Sequence, residues 1–378
     1  MKREEMAWSA YGSVICDGKM WYTNYWGTQL CCFSLTEKRM MRIEMIPYEG
    51  KRSELLYSNI IALNDGRLVL VPANAFEICI YNIANREFEL IPIEASEEAY
   101  NMFCGAVAWK DYIYLIPYNF RYVVRLDVNK RTIERVCDLE NVVDLAAKPT
   151  AFQYNYLVND NRVFFLAARE NKILSFNLDE ESIATLPVGD SDSVFAAIES
   201  IDYNNFVLID QKGMIYQVAF DLSVWKKIDC IINDFVLKDD GYIVKSYADC
   251  KVLDKRIIFL PAHANKILEY QFDMGILKTI DFAPDMQMEF DDAHRANSIK
   301  FSLVKEYNGM LYGFYVKTGQ LFEYDPKEQQ FALYDTKLEL DSEESQYLMN
   351  KMIKRGAVKE SFHSYDSLEA FISAICNA

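Results

Sequence analysis

Seven side chains that can hydrogen-bond or stack on a ligand occupy one equivalent place in a repeated sequence pattern. Each lies three residues after the end of a predicted β-strand; the seven are Trp26, Asn74, Asn119, Arg169, Gln211, His263 and Lys317. Arg169 offers a planar fork of donors that suits a carboxylate or a phosphate, and the preceding Ala167 and Ala168 leave space beside it. These seven are the candidate ligand-binding residues. Polar hairpin tips that simply face water give the same pattern, so that explanation stays open.

The charges around these positions leave two kinds of ligand open. The windows that hold the seven candidates contain six basic residues (Arg121, Arg169, Lys172, Lys212, Lys266, Lys317) and three acidic ones (Glu77, Glu170, Asp210), a net charge of +3. The connections that lead from each repeat to the next carry a net charge of −11. If the basic windows dominate, the ligand is a small anion. If the acidic connections dominate, the same face favours cations or a basic protein partner.

Composition and motifs argue against several other function classes. The 378 residues include 40 Lys plus Arg against 56 Asp plus Glu, a net charge of −16, which disfavours nucleic-acid binding. No glycine-rich phosphate loop is present, so we predict no nucleotide cofactor. The histidines are His263, His294 and His363, and a hard-metal site at Asp291, Asp292 and His294 is the weaker explanation of an acidic loop. We therefore predict neither a metal nor another cofactor.

The cysteines and the N-terminal residues predict a cytoplasmic location. Nine cysteines, an odd number with no C-x-x-C pair, are typical of free thiols in a reducing compartment. The first residues, MKREEMAWSAYG, lack the apolar stretch of a signal peptide. No apolar run approaches the length of about 20 residues that a membrane-spanning helix needs, so no membrane association is expected.

The elements that position the seven candidates form a frame that repeats seven times. Its anchor residues, which align without gaps, are Phe33, Tyr81, Leu126, Phe176, Val218, Tyr270 and Tyr324. Strands before each anchor read as continuous apolar runs such as LVLV, VFFL and IIFL, which is typical of strands covered on both faces. Repeats of roughly 40 to 50 residues with about four strands each indicate propeller blades. The sequence predicts an all-β, seven-bladed β-propeller with a short C-terminal helical tail.

This frame assigns residues 1–336 to the propeller and residues 337–378 to the tail. The predicted blades are approximately 7–47, 59–93, 105–139, 152–188, 197–231, 242–282 and 298–336. Each blade is one continuous segment, so the N-terminus supplies no strand to the seventh blade. In the tail, Asp341 and Asp366 are candidate caps of two short amphipathic helices.

The run Leu321-Phe322-Glu323-Tyr324-Asp325-Pro326, followed by Phe331, resembles the second half of a kelch repeat. The paired glycines of kelch repeats are missing from every blade. The resemblance therefore implies a kelch-like or WD40-like propeller fold over about residues 7–336, and it assigns no catalytic residue.

Two function classes remain. The first is a non-catalytic propeller that binds a protein, or a small polar ligand such as an anion, on the face where second-to-third-strand loops and blade-to-blade connections emerge. The alternative is an enzyme that acts on a carbohydrate or related polar metabolite at the channel mouth. There Tyr25, Trp26, Tyr118 and Phe120 would stack a sugar, and Arg169 or His263 would anchor it. The oligomeric state does not follow from the sequence.

Overall fold

The computed structural model describes thirteen segments of the chain. They are residues 10–24, 28–50, 55–96, 98–145, 151–187, 194–210, 214–220, 225–228, 247–253, 255–261, 266–282, 300–316 and 318–336. The predicted helical tail lies outside these segments, so the division at residue 336 stays a prediction. Within the segments no helix is long and apolar enough to cross a bilayer.

The described segments form strands β1 to β28. Blade 1 contains β1 (Ala10–Cys16), β2 (Lys19–Asn24), β3 (Gln29–Ser34) and β4 (Arg39–Met45); blade 2 contains β5 (Tyr57–Ala62), β6 (Arg67–Pro72), β7 (Glu77–Asn82) and β8 (Glu87–Pro92). Blade 3 contains β9 (Phe103–Trp109), β10 (Tyr112–Pro117), β11 (Tyr122–Asp127) and β12 (Thr132–Asp138); blade 4 contains β13 (Phe152–Asn159), β14 (Arg162–Ala167), β15 (Lys172–Asn177) and β16 (Ser182–Pro187). Blade 5 contains β17 (Phe195–Ser200), β18 (Asn205–Asp210), β19 (Ile215–Ala219) and β20 (Trp225–Ile228). Blade 6 contains β21 (Tyr247–Leu253), β22 (Arg256–Pro261), β23 (Ile267–Gln271) and β24 (Ile276–Ile280); blade 7 contains β25 (Phe301–Tyr307), β26 (Met310–Tyr315), β27 (Gln320–Asp325) and β28 (Gln330–Tyr334).

Each blade is a four-stranded sheet whose strands follow chain order. The seven sheets run from β1-β2-β3-β4 to β25-β26-β27-β28 without exchange of strands between them, as far as the described strands go. Neighbouring strands pair antiparallel, for example Leu68 opposite Tyr81 between β6 and β7. This arrangement confirms the predicted all-β, seven-bladed propeller.

Burial explains why the sequence repeats as it does. The middle strands are buried almost throughout: β6 buries its last five residues, and so does β14. The fourth strands are largely open to water, as in β12, where no residue is fully buried. Because the middle strands are covered on both faces, they are continuous apolar runs, as predicted.

The chain divides into two compact units. One comprises Met1–Ala106, Phe314–Phe322 and Leu333–Ala378, and the other comprises Val107–Gly313 and Glu323–Ala332. The core of the first unit lies between blades 1 and 2, where it gathers Trp21, Leu30, Tyr57, Leu68 and Tyr81. In the same unit Tyr22 of blade 1 packs on Phe314 of blade 7, with ring centroids 4.7 Å apart.

The second unit has cores of the same kind between its own blades. Blades 4 and 5 share a cluster that includes Phe164, Leu166, Phe195, Phe206 and Leu208. Blades 5 and 6 share another that includes Val207, Ile209, Tyr247, Ile257 and Phe259. Each interface buries large apolar side chains, so blade-to-blade packing supplies the hydrophobic stabilisation.

Candidate functional site

Two of the seven candidate residues hold the backbone that leads into the next blade. The side-chain Oδ1 of Asn74 accepts a hydrogen bond from the backbone N–H of Asn101 at 2.8 Å, just before β9. At the equivalent place, Oδ1 of Asn119 accepts one from the backbone N–H of Ala151 at 3.0 Å, just before β13. These asparagines therefore tie the loop after a second strand to the connection that follows the blade.

The connection from blade 3 to blade 4 is fastened from the blade 3 side by Arg121. Its guanidinium donates from Nε to Oδ1 of Asp138 at 2.8 Å and also pairs with Glu140. Leu139 donates its backbone N–H to the carbonyl of Arg121 at 2.9 Å. Residues 139–143 then form a turn in which the carbonyl of Leu139 accepts from Val142 and Val143. The start of this connection is thus held in a defined position.

The blade 4 side is fastened by the loop after β14. Oε1 of Glu170 accepts the backbone N–H of Asp144 at 3.1 Å. The ammonium of Lys172 pairs with Glu170 and reaches the carbonyl of Val142 at 3.4 Å. Burial alone would raise the pKa of the Glu170 carboxyl, but Lys172 and the Asp144 N–H together hold that pKa below its usual value. Glu170 is therefore a neutralised structural anion.

Between this connection and the loop lies an open pocket of about 570 Å³, which we call the Arg169 pocket. The connection lines it with Glu140, Asn141, Val142, Val143, Asp144 and Ala151, and the loop lines it with Arg169, Glu170 and Lys172. Ala168 donates its backbone N–H to the carbonyl of Ala151 at 2.9 Å, so two small residues meet beside Arg169. All the lining residues belong to the second unit.

Among the charged groups that line the pocket, Arg169 has no hydrogen-bond partner in the part of the chain that the structure describes. Glu140 is matched by Arg121, and Glu170 is matched by Lys172. The side chain of Arg169 is exposed, and within the described segments its guanidinium makes no hydrogen bond or ion pair. Asp144 also lines the pocket and is exposed, so the lining is mixed in charge and not uniformly basic. Chemically, this arrangement suits binding of a carboxylate or phosphate by the fork of Arg169.

The remaining four candidates belong to parts of the chain that the structure does not describe. Trp26, Gln211, His263 and Lys317 lie outside the described segments, as do Asp291, Asp292, His294 and His363. Among described residues no group of three or more His, Cys, Asp or Glu side chains is arranged to hold a metal ion. The structure thus brings Arg169 together with the connection after blade 3. It shows Asn74 and Asn119 accepting backbone hydrogen bonds, and a ligand-binding role for these two residues stays a prediction.

From the sequence, the connection was predicted to be acidic, but its Glu140, Asn141 and Asp144 were not predicted to be pocket residues. A usable signal was present in the sequence. Basic Arg121 and Lys172 occupy the loop windows on either side of an acidic connection, so opposite charges stand where the segments meet. The pair Arg121–Glu140 follows that signal, whereas Lys172 pairs with Glu170 of its own loop.

Comparisons with known proteins support the fold alone. No family model matches the chain, and no curated protein matches it. Among solved structures, a streptogramin B lyase is 14% identical with a TM-score of 0.61, covering 86% of this chain and 94% of that one. Virginiamycin B lyase from Staphylococcus aureus is 13% identical with a TM-score of 0.56, covering 82% and 93%. The WD40 β-propeller domain of Doa1 is 12% identical with a TM-score of 0.56, covering 85% and 95%.

These neighbours include both a lyase and a WD40 domain with a similar fold. The fold alone therefore does not indicate whether this chain is an enzyme or a binding domain. They do support the propeller resemblance drawn from the sequence. Its WD40-like form has a solved counterpart, whereas the kelch-like form stays a prediction.

Proposed function

We propose that this chain is a non-catalytic propeller that binds a small anionic ligand in the Arg169 pocket. The observation that carries the proposal is the guanidinium of Arg169, which lines the pocket without a partner among the described residues. The neighbouring Glu140 and Glu170 are already neutralised by other cations. An incoming carboxylate or phosphate therefore finds an available bidentate donor without having to displace a protein anion.

The position of the pocket supports a binding role. Its walls come from the connection after blade 3 and the loop of blade 4, so a ligand bound there contacts segments from two blades. Loops held on a rigid scaffold are where propellers and similar folds place binding sites. A protein partner with an acidic segment would use the same donor, and it is the second form of this proposal.

The test compares the binding of citrate and inorganic phosphate to the wild type and to Arg169→Ala by isothermal titration calorimetry. Loss of a charge-assisted hydrogen-bonding partner is worth about 1.5 to 3 kcal/mol, which is about ten- to a hundredfold in affinity. Arg162→Ala is the matched control, because Arg162 is an exposed arginine at the opposite end of β14. The control is expected to bind both anions as the wild type does.

Equal affinity of the wild type and Arg169→Ala would contradict the proposal. Failure of both anions to bind the wild type at millimolar concentration would contradict its small-ligand form. Arg169→Ala should keep the melting temperature of the wild type, because an exposed loop arginine supports no core.

The enzymatic alternative, action on a carbohydrate or related polar metabolite, stays a prediction. Two of its four stacking residues, Tyr25 and Trp26, lie outside the described segments. Tyr118 packs edge-on against Tyr154 with ring centroids 6.1 Å apart. We also retain as expectations a cytoplasmic location and the absence of nucleic-acid or membrane partners.

A further inference from the structure

A cluster of four charged side chains lies on the first strands of blades 5, 6 and 7, far in sequence from the Arg169 pocket. We call it the first-strand cluster: Glu199 on β17, Asp249 and Lys251 on β21, and Lys305 on β25. The strands β17 and β21 contact each other, and so do β21 and β25. These contacts between first strands bring charged groups from three successive blades together.

Lys251 engages both carboxylates of the cluster. Its ammonium lies 2.6 Å from Oε2 of Glu199 and 3.2 Å from Oδ1 of Asp249. Burial alone would lower the pKa of Lys251, but Asp249 and Glu199 raise it above its usual value. Lys251 is thus held in its protonated form, and its ammonium pairs with Glu199 and Asp249.

Lys305 is in the opposite situation. Within the described segments its amine has no hydrogen-bond or ion-pair partner, although its side chain is half-buried. Burial lowers the pKa of Lys305, and the nearby Lys251 ammonium lowers it further, against the opposing influence of Asp249 and Glu199. The side chains of Lys251 and Glu199 remain 22% and 23% exposed, so small molecules in water have access to the cluster.

A lysine that is desolvated and placed beside a second cation is activated for attack on a carbonyl carbon. We propose that Lys305 is a nucleophilic amine that captures a small aldehyde or ketone as an imine within the first-strand cluster. A simple anion fits this place less well, because Glu199 and Asp249 would repel it. The proposal is independent of the Arg169 pocket, which shares no residue with the cluster.

The chemistry balances without an oxidant or a reductant. The lone pair of Lys305 Nζ forms a bond to the carbonyl carbon, and the π electrons of the carbonyl move to its oxygen. One proton passes from the nitrogen to that oxygen through water, which gives a carbinolamine. A second protonation of the oxygen lets it leave as water, and loss of the remaining nitrogen proton to solvent leaves a neutral imine. The net change is amine plus carbonyl to imine plus water.

The test traps the imine in the full-length protein. Propionaldehyde, a small uncharged carbonyl, is added with sodium cyanoborohydride near neutral pH, and the alkylated lysines are mapped and timed by mass spectrometry. Lys110 and Lys255 serve as internal references, because their side chains are 65% and 73% exposed. We expect Lys305 to be alkylated severalfold faster than either reference, because burial and the Lys251 ammonium favour the neutral form of its amine.

Two variants separate nucleophilicity from mere accessibility. Lys305→Arg keeps the positive charge and should remove the fast site while leaving Lys110 and Lys255 unchanged. Lys251→Met removes the repelling ammonium and frees two carboxylates to pair with Lys305, so alkylation of Lys305 should slow toward the rate of the references. Lys305 reacting no faster than Lys110 in the wild type would overturn the proposal. So would an unchanged rate at Lys305 in a folded Lys251→Met, with folding checked by circular dichroism.

If Lys251→Met does not fold, the pH profile of the wild type decides. A lysine of ordinary basicity gives a rate of alkylation that rises in parallel with the references as pH increases. The proposed amine instead keeps its advantage near neutral pH and loses it at alkaline pH, where every lysine becomes neutral. Parallel profiles would overturn the proposal.

Discussion

Replacement of Glu269 by alanine should destabilise the protein more than any surface substitution. Glu269 lies on β23 and its side chain is 0% exposed. Its Oε1 lies 3.0 Å from the ammonium of Lys278, the residue opposite it on β24, and accepts from Nε2 of Gln271 at 2.6 Å. The Arg256 guanidinium stands 3.7 Å from Oε2. Glu269 thus balances two cations inside the blade 6 sheet.

The magnitude follows from these distances. At 3.0 Å and an effective dielectric constant of about 20, the attraction between Glu269 and Lys278 is about 5.5 kcal/mol before desolvation is subtracted. Breaking a buried ion pair from one side costs about 3 to 5 kcal/mol. Because the Lys278 side chain is 33% exposed and can turn to water, we expect the lower value, about 3 kcal/mol.

The assay is urea denaturation followed by tryptophan fluorescence and circular dichroism. Glu269→Ala should clearly lower the transition midpoint. The control is Glu328→Ala, an exposed acidic residue on the turn after β27, which should change the free energy of unfolding by no more than about 0.5 kcal/mol. Combining Glu269→Ala with Lys278→Met should cost less than the sum of the single changes, because the two residues share one interaction. A midpoint for Glu269→Ala equal to that of the control would refute the reasoning.

Two further predictions concern a close backbone approach and an acid-sensitive contact. Gly12→Ala should lower the melting temperature, because the added Cβ would lie 2.6 Å from Cα of Asn59. Overpacking of this kind costs about 1 to 3 kcal/mol of stability. A variant as stable as the wild type in thermal denaturation would contradict the close approach of β1 and β5. Lys110, with Trp109, lowers the pKa of Asp179 to about 2, so the stabilisation from this carboxylate is present above its unfolded pKa of about 3.8 and is lost as pH falls toward 2. The fluorescence of Trp109, isolated by subtracting the signal of Trp109→Phe, should change in that pH window, and a flat signal there in wild type would count against the contact.

The fold was predictable because the packing of blades against each other gives the middle strands of each blade the same sequence pattern. Strands such as β6 and β14 are covered on both faces, so each reads as a continuous apolar run with no polar alternation. Seven such runs in one gapless frame indicate the blades. The turns add a second signal, since Asp17 and Gly18 adopt positive φ angles of 50° and 67° at the predicted hairpin.

The candidate site was only partly predictable, because side-chain partners depend on three-dimensional proximity. The repeat frame selected Arg169, but it treated Asn74 and Asn119 as equivalent to it, although both hold backbone N–H groups across 27 and 32 residues. Nothing in a single sequence identifies which distant amide an asparagine accepts from.

The first-strand cluster was missed for a different reason. Binding residues were predicted only in loops, so charged residues within strands were not considered. Glu199, Lys251 and Lys305 nevertheless lie on strands whose other residues are mostly apolar or small. A charged residue on the first strand of three successive repeats was the available signal. Its meaning required knowing which of the four charges pair with each other.

The most direct measurement of the central claim is a crystal structure of the full chain grown with citrate, beside one of Arg169→Ala grown identically. We predict density for a carboxylate on the guanidinium of Arg169, between the connection after blade 3 and the loop after β14, and its loss in the variant. Citrate bound elsewhere while the Arg169 pocket holds only water, or bound equally in both crystals, would contradict the account.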